Sequence, residues 1–468
     1  MDAIERPDQR NFRLMQMMSI AGRRGQWWSF LRRAATGGTA SIAVNVVINN
    51  ILRIVSSMTL ARLLDSYAYG VVGVITSIAF MLAMLSDAGF YPFVIRHERA
   101  DEPDFLDGVW TLRLIRGIAL TILMTLVAYP AAAFLQKPEL APVIMVWGIT
   151  FLLDGLSSLA QATAVREQKL WRLSMVETVC NVIALVGSVT SALILRSYWA
   201  MIIGMMIGQL ARLILSYAMF AGSRRGIRFS RDIQRELWLF SRYIALSSML
   251  TLVILQADKV VLARIMPLTA YGFYAIATTL ALAPEAIANP YAQRVLYPIY
   301  ARIARDDRPA LRQTYYGARR RVTWLYSLAV GGLIGVAPLL VAILYGARYA
   351  AVTPFLQLLA IRVFLRMPNL AAHEVLIALG KTSTSLAANI FRITWLLAGG
   401  AIGLHSGNVM LLVAVVATDE LPATLWYWVN LRRDRLIDVG EEVLPFAIGL
   451  GGAALGWAVA DIGLRIIH

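Results

Sequence analysis

The chain has 468 residues, 59% hydrophobic and 15% charged, with mean hydropathy +0.64 and a formal net charge of +16. Soluble domains are about 45–50% apolar and about 25% charged, so this composition excludes an ordinary soluble fold and indicates an integral membrane protein. The single cysteine, Cys180, excludes an intramolecular disulfide.

Apolar runs of the ~20 residues needed to cross a bilayer as a helix recur along nearly the whole chain. Segments of about ten residues with alternating polarity, the mark of a membrane barrel, do not. The expectation is an all-α polytopic fold with about 13 transmembrane helices (12–14). They fall near 38–60, 67–93, 110–135, 141–164, 173–195, 198–220, 240–262, 271–293, 322–346, 351–379, 383–403, 408–430 and 443–464. The loops on one side, beginning with the N-terminus, hold about thirty of the 44 Lys and Arg, including Arg319, Arg320 and Arg321. The opposite loops hold about six, Arg62, Lys137, Arg196, Arg264, Arg348 and Arg465. This asymmetry places the N-terminus in the cytoplasm and accounts for the basic charge without a nucleic-acid partner.

In chain order, residues 1–36 form a basic cytoplasmic or interfacial segment. "QWWSFLRR" at 26–33 joins Trp27, Trp28 and Phe30 to Arg32 and Arg33, which suits either a surface helix or a plain aromatic flank. An N-lobe of six helices (37–220) follows. Its first helix carries Asn45, Asn49 and Arg53 at four-residue spacing, hence on one face. Polar groups within a bilayer face a polar interior, so this stripe turns inward, and Arg53 meets either an anion or a carboxylate of another helix. Arg113 and Arg116 lie in the first turns of the third helix, near enough to the interface to snorkel.

A basic linker (221–239) leads to the C-lobe (240–430). Its first helix carries Asp258 and Lys259, which either neutralise each other or serve a substrate. Glu285, Asn289 and Pro290 interrupt the eighth helix. Arg362 and Arg366 share a face above Pro368, where a kink is expected. Asp87, Asp258 and Glu285 are candidates for ion coupling. Residues 431–468 supply a loop and one extra helix.

One motif is written twice. "LARLLDSYAYG" at 60–70 and "LARIMPLTAYG" at 262–272 agree at six of eleven positions and stand 202 residues apart. Each copy ends a first helix and begins a second, six helices apart, so the lobes are parallel repeats around a central cavity, an architecture of transporters. The four histidines, His97, His373, His405 and His468, show no paired metal spacing, and no phosphate-cradling G-x-x-x-x-G-K-[ST] occurs. No enzyme, cofactor or metal is expected.

The helix-one ending "LARLLDSYAYGVVGV", "SDAGFYPFVIR" (86–96), "TLRLIRGI" and "DKVVLARIMPLTAYGFYAIA" (258–277) resemble the oligosaccharide flippase family of the multidrug/oligosaccharidyl-lipid/polysaccharide exporter superfamily. The resemblance runs from 36 to 430. It implies a bacterial inner-membrane protein that flips polyprenyl-diphosphate-linked oligosaccharide for surface polysaccharide such as lipopolysaccharide or exopolysaccharide. Membrane lipids are implied as surroundings, and polysaccharide polymerase and export proteins as partners. Asn45, Asn49, Arg53, Arg113, Arg116, Lys259, Arg362 and Arg366 would then be the substrate-binding cavity residues. Three alternatives stand beside it: a multidrug/cation antiporter of the superfamily, a peptidoglycan lipid II flippase, and a membrane scaffold without transport.

Overall fold

The computed structural model describes residues 38–167, 169–220 and 225–467, all helix and connecting loop. The 1–36 segment, including Trp27, Trp28, Phe30, Arg32 and Arg33, lies outside the described residues. The first lobe comprises α1 (Gly38–Leu63), α2 (Ser66–Leu85), the short α3 (Phe90–Arg96), α4 (Pro103–Phe134), α5 (Ala141–Leu156), the short α6 (Ala160–Arg166), α7 (Leu170–Leu195) and α8 (Trp199–Ala218). The second comprises α9 (Arg231–Ile265), α10 (Leu268–Ala281), α11 (Glu285–Tyr291), α12 (Tyr297–Asp306), α13 (Leu311–Tyr345), α14 (Val352–Ala378), α15 (Thr382–Ser406), α16 (Val409–Ala417) and α17 (Glu420–Arg433), with α18 (Val439–Ile467) as the extra helix.

Eleven helices among the described residues are long and apolar enough to cross a membrane. The polar-started α9 and the broken pair α10–α11 fill the remaining two places in a thirteen-helix pattern. The lobes are therefore parallel six-helix repeats, as the duplicated motif requires. One end of the bundle gathers the arginine-rich loops, and the other the arginine-poor loops.

Departures from the expected boundaries have local causes. The second helix stops at Leu85 instead of continuing to 93, because Asp87 Oδ1 accepts from the Gly89 N–H at 2.9 Å and Gly89 takes φ +65°. The fourth helix likewise stops early, at Leu156, and a short helix follows. The eighth breaks at 282–284, ahead of Glu285, and a π turn at Ala292–Leu296 follows Pro290. The helix around Pro368 stays continuous from Val352 to Ala378. The ninth helix starts eleven residues earlier than expected, at Leu311. Arg319, Arg320 and Arg321 thus sit on a helix. Arg319 is buried against Glu442 of α18, which also accepts from Tyr316 Oη at 3.0 Å and Trp428 Nε1 at 3.2 Å.

Two features join the parts. α9 begins inside the first lobe, where Ile233 and Leu237 pack among Phe90, Phe93, Phe105 and Trp110, and ends in the second. α18 lies along α13 through glycines: an added Cβ on Gly331 would fall 2.1 Å from Gly449 O, and on Gly335 2.1 Å from Ala453 O. Such small-residue contacts let helices approach to van der Waals distance where lipid supplies no hydrophobic drive.

The lobes meet where α2 crosses α10, and the two motif copies make that crossing. A Cβ on Gly70 would stand 1.9 Å from Leu268 O, and one on Gly272 1.8 Å from Ser66 O. Ser66 and Leu268 are equivalent positions of the repeat, as are Gly70 and Gly272. The Tyr-Gly pair is repeated because each glycine admits the other lobe's backbone. Gly70→Ala or Gly272→Ala is expected to cost about 3 kcal/mol, the upper range for overpacking, whereas Gly317→Ala, with nothing within 4 Å, should be neutral or stabilising. Thermal unfolding in detergent checks this, and equal midpoints for all three variants would refute the tight crossing.

Candidate functional site

A central cavity of about 800 Å³ lies between the lobes, walled by α1, α2, α7, α8, α9 and α10, with Trp147 of α5. Its polar side is the stripe expected from sequence. Asn45 Nδ2 donates to Glu177 Oε2 at 3.0 Å, Asn49 Nδ2 to Asn45 Oδ1 at 2.9 Å, and Asn181 Nδ2 to Asn49 Oδ1 at 2.8 Å. Thr178 Oγ1 also donates to Asn45 Oδ1, at 2.8 Å. The four-residue spacing on α1 thus meets Glu177, Thr178 and Asn181 on α7 in a ladder of side-chain hydrogen bonds.

The charged residues lining this cavity are Arg53, Arg212, Lys259 and Glu177, three cations against one acid. Arg53 is exposed in the cavity wall and donates to Asn50 Oδ1 at 2.8 Å. Among the described residues neither Arg53 nor Arg212 forms an ion pair. Lys259 Nζ donates to Leu255 O and lies 3.9 Å from Asp258 Oδ1. Asp258 itself is buried and accepts from Tyr274 Oη. Two guanidinium groups without carboxylate partners, and an ammonium group only loosely paired with Asp258, beside amide and hydroxyl groups, form a site fitted to an anion carrying polar substituents.

A second cavity of about 470 Å³ lies within the C-terminal lobe and shares Lys259, Tyr274 and Thr278 with the first. Here the cations are paired. Arg362 grips Asp419 with both nitrogens, Nε at 3.0 Å and Nη2 at 3.1 Å. Arg392 bridges Asp419 and Glu420 at 2.9 Å each, and Arg366 reaches Glu420 at 2.6 Å. Asn369 Nδ2 completes the shell of Glu420 at 2.8 Å. Glu285 lines this cavity, together with Asp258.

The expected site residues therefore separate into groups. Asn45, Asn49, Arg53 and Lys259 converge on the central cavity. Arg362 and Arg366 line the second one, bound to carboxylates. Arg113 and Arg116 line neither. Arg113 is buried against Asp154 at 2.8 Å, and Arg116 donates to Ser86 O and Ala83 O at 2.9 Å, tying α4 to α5 and α2. Asp87 serves the turn after α2. Arg212 and Arg392 were missed, although each is a lone cation in an apolar stretch, the signal that selected Arg53. Among the described residues no group of three or more His, Cys, Asp or Glu is placed to hold a metal ion.

Arg362→Ala should break the two-bond grip on buried Asp419 and leave that carboxylate with Arg392 alone. The expected loss is about 3–5 kcal/mol, seen as a reduced monodisperse fraction on size exclusion. Arg53→Ala, which removes no ion pair, should keep the parent profile. Equal profiles for the two would refute the division into structural and free cations.

The chain is 26% identical over 402 residues to the lipopolysaccharide biosynthesis protein WzxC of Escherichia coli K12, covering 83% of this chain and 80% of WzxC. It is 24% identical over 336 residues to the succinoglycan biosynthesis transport protein ExoT of Rhizobium meliloti, covering 71% of this chain and 64% of ExoT. Its fold is similar to that of the lipid II flippase MurJ in an inward closed conformation, with TM-score 0.68 and 14% identity, over 91% of this chain and 98% of MurJ. Residues 59–354, from the first L-A-R copy to the start of α14, match the family described as polysaccharide biosynthesis protein. That match takes in both motif copies and most of the helices around the central cavity, and the chain belongs to the polysaccharide biosynthesis protein family.

Proposed function

We propose that this protein carries a polyprenyl-diphosphate-linked oligosaccharide from the cytoplasmic to the outer leaflet of a bacterial inner membrane, by alternating access of its two lobes. The observation that carries this reading is the set of unpaired cations Arg53 and Arg212, with Lys259, in a polar cavity between parallel repeats. A diphosphate loses its hydration on leaving water. Guanidinium forks restore those bonds with charge-assisted ones, and Asn45, Asn49, Asn181, Thr76, Thr278 and Thr279 offer partners for sugar hydroxyls. The polyprenyl tail stays in lipid outside the helices. The names of WzxC and ExoT, a lipopolysaccharide and a succinoglycan biosynthesis protein, support this substrate class.

In this reading the arginine-rich end is cytoplasmic, in keeping with the positive-inside rule. The working units are the N-lobe (37–220) and the C-lobe (240–430), joined by the linker (221–239) and α9. The protein does no covalent chemistry, and polymerase and export proteins act on what it delivers. A cation antiporter fits less well, because the central cavity offers one acid, Glu177, already engaged by Asn45. Lipid II is the closer rival, since its diphosphate and sugars ask for the same groups.

Lipid extracts from cells with and without this protein decide the substrate. Loss of the protein should cause a defined oligosaccharide diphosphate lipid to accumulate and surface polysaccharide to fall; accumulation of lipid II instead, or of no such lipid, overturns the assignment. Arg53→Ala, Arg212→Ala and Lys259→Ala should each lower export by roughly tenfold, the loss of one charge-assisted contact, at parent protein levels. Parent export in all three would remove the cations from the mechanism.

A further inference from the structure

At the arginine-poor end each lobe places a cation on the other's first helix. The last four carbonyls of a helix lack intrahelical partners. At the end of α1, Leu64 N takes Leu60 O at 2.8 Å, and the next carbonyl, Ala61 O, receives Arg348 Nη2. At the end of α9, Met266 N takes Leu262 O at 2.9 Å, and the next carbonyl, Ala263 O, receives Lys137 Nζ at 2.5 Å. Ala61 and Ala263 are the same residue of the two L-A-R copies. Lys137 and Arg348 sit in corresponding loops, after the third helix of each lobe.

Both contacts cross between lobes. Lys137 belongs to the first lobe and Ala263 to the second; Arg348 belongs to the second and Ala61 to the first. Arg348 Nη2 also reaches Leu64 O at 3.0 Å, Tyr349 Oη reaches the same carbonyl at 3.0 Å, and Tyr345 Oη reaches Ser57 Oγ at 2.9 Å. These bonds surround the end of the central cavity lined by Ser57, Leu60 and Tyr69. Lys137 is buried, so its ammonium has exchanged water for the carbonyls of Ala263 and Leu135 and the negative end of α9.

We infer that Lys137 and Arg348 are a reciprocal pair of gate-positioning residues, which hold the arginine-poor end shut while the cavity is loaded and let go when it opens there. The inference rests on the proposed alternating access. Separating α1 from the second lobe and α9 from the first must break both contacts, so each cation biases the equilibrium toward this closed form by its own interaction energy. Neither residue lines the substrate cavity.

The test uses a Thr76→Cys reporter in a Cys180→Ser chain. Thr76 lines the central cavity and bonds only carbonyls of its own helix, so the reporter breaks no contact between helices and is read without substrate. Spheroplasts are treated with a membrane-impermeant maleimide, and Ser197→Cys in an arginine-poor loop verifies the face being labelled. Arg348→Ala and Lys137→Ala should each speed reporter labelling from that face by roughly tenfold, the weight of one charge-assisted bond, and slow it in inverted vesicles. Arg348→Lys should stay within about twofold of the parent, since Lys137 holds its carbonyl with an ammonium group. Unchanged rates in both alanine variants, faster labelling from both faces, or a lysine variant that behaves like alanine overturns the inference. Substrate takes no part in labelling. Failure of the parent to move any lipid-linked oligosaccharide would therefore sink the transport reading and leave this test standing.

Discussion

The crossing of α2 and α10 is the constraint on which the rest depends. Gly70 meets the carbonyl of Leu268 and Gly272 meets that of Ser66, so each repeat supplies both the notch and the backbone that fills the other's notch. Because the two contacts are equivalent, they close on a pseudo-twofold axis between the lobes. Any side chain beyond hydrogen at either position would push the helices apart and open the end of the cavity. The buried rings of Tyr69, Tyr271 and Tyr274 pack around this crossing.

With the crossing fixed, the charges follow two rules. Five cations within the lobes are matched by carboxylates, Arg113 by Asp154, Arg319 by Glu442, and Arg362, Arg366 and Arg392 by Asp419 and Glu420, while Arg116 is held by the carbonyls of Ser86 and Ala83. In a dry lobe interior such partners stand in for an ion's lost hydration. Cations between the lobes are matched by amides, as Arg53 is by Asn50, or by carbonyls at helix ends, as Lys137 and Arg348 are. Amides and carbonyls hold a cation without cancelling its charge. The central cavity keeps its positive character, and the contacts at the arginine-poor end are ones a conformational change can exchange.

Much of this was legible in the chain. Hydropathy gave thirteen helices within several residues, because a span needs a long apolar run whatever its neighbours are. Large errors came where helices open with polar turns: α9 and α13 begin nine and eleven residues before their apolar runs. Those polar turns are stabilised by tertiary contacts, Ile233 and Leu237 with the first lobe and Arg319 with Glu442, which a hydropathy window cannot register. Glu285, Asn289 and Pro290 were read as interrupting the eighth helix, which breaks at 282–284, directly ahead of Glu285, and takes a π turn after Pro290.

The sequence by itself determined the membrane setting, the parallel duplication and the inward stripe of Asn45, Asn49 and Arg53, since each is a matter of composition, repetition or local helical period. Only the tertiary structure decided which cations of the apolar helices are free of carboxylates. Arg53 and Arg362 look alike on the page, single charges in apolar helices. Arg362 meets Asp419, 57 residues later, on another helix, while Arg53 faces a cavity. Lys137 and Arg348 read as ordinary loop charges until folding brings them to the helix ends of the opposite lobe. Pairing between distant segments depends on how the helices pack, and no local period encodes it.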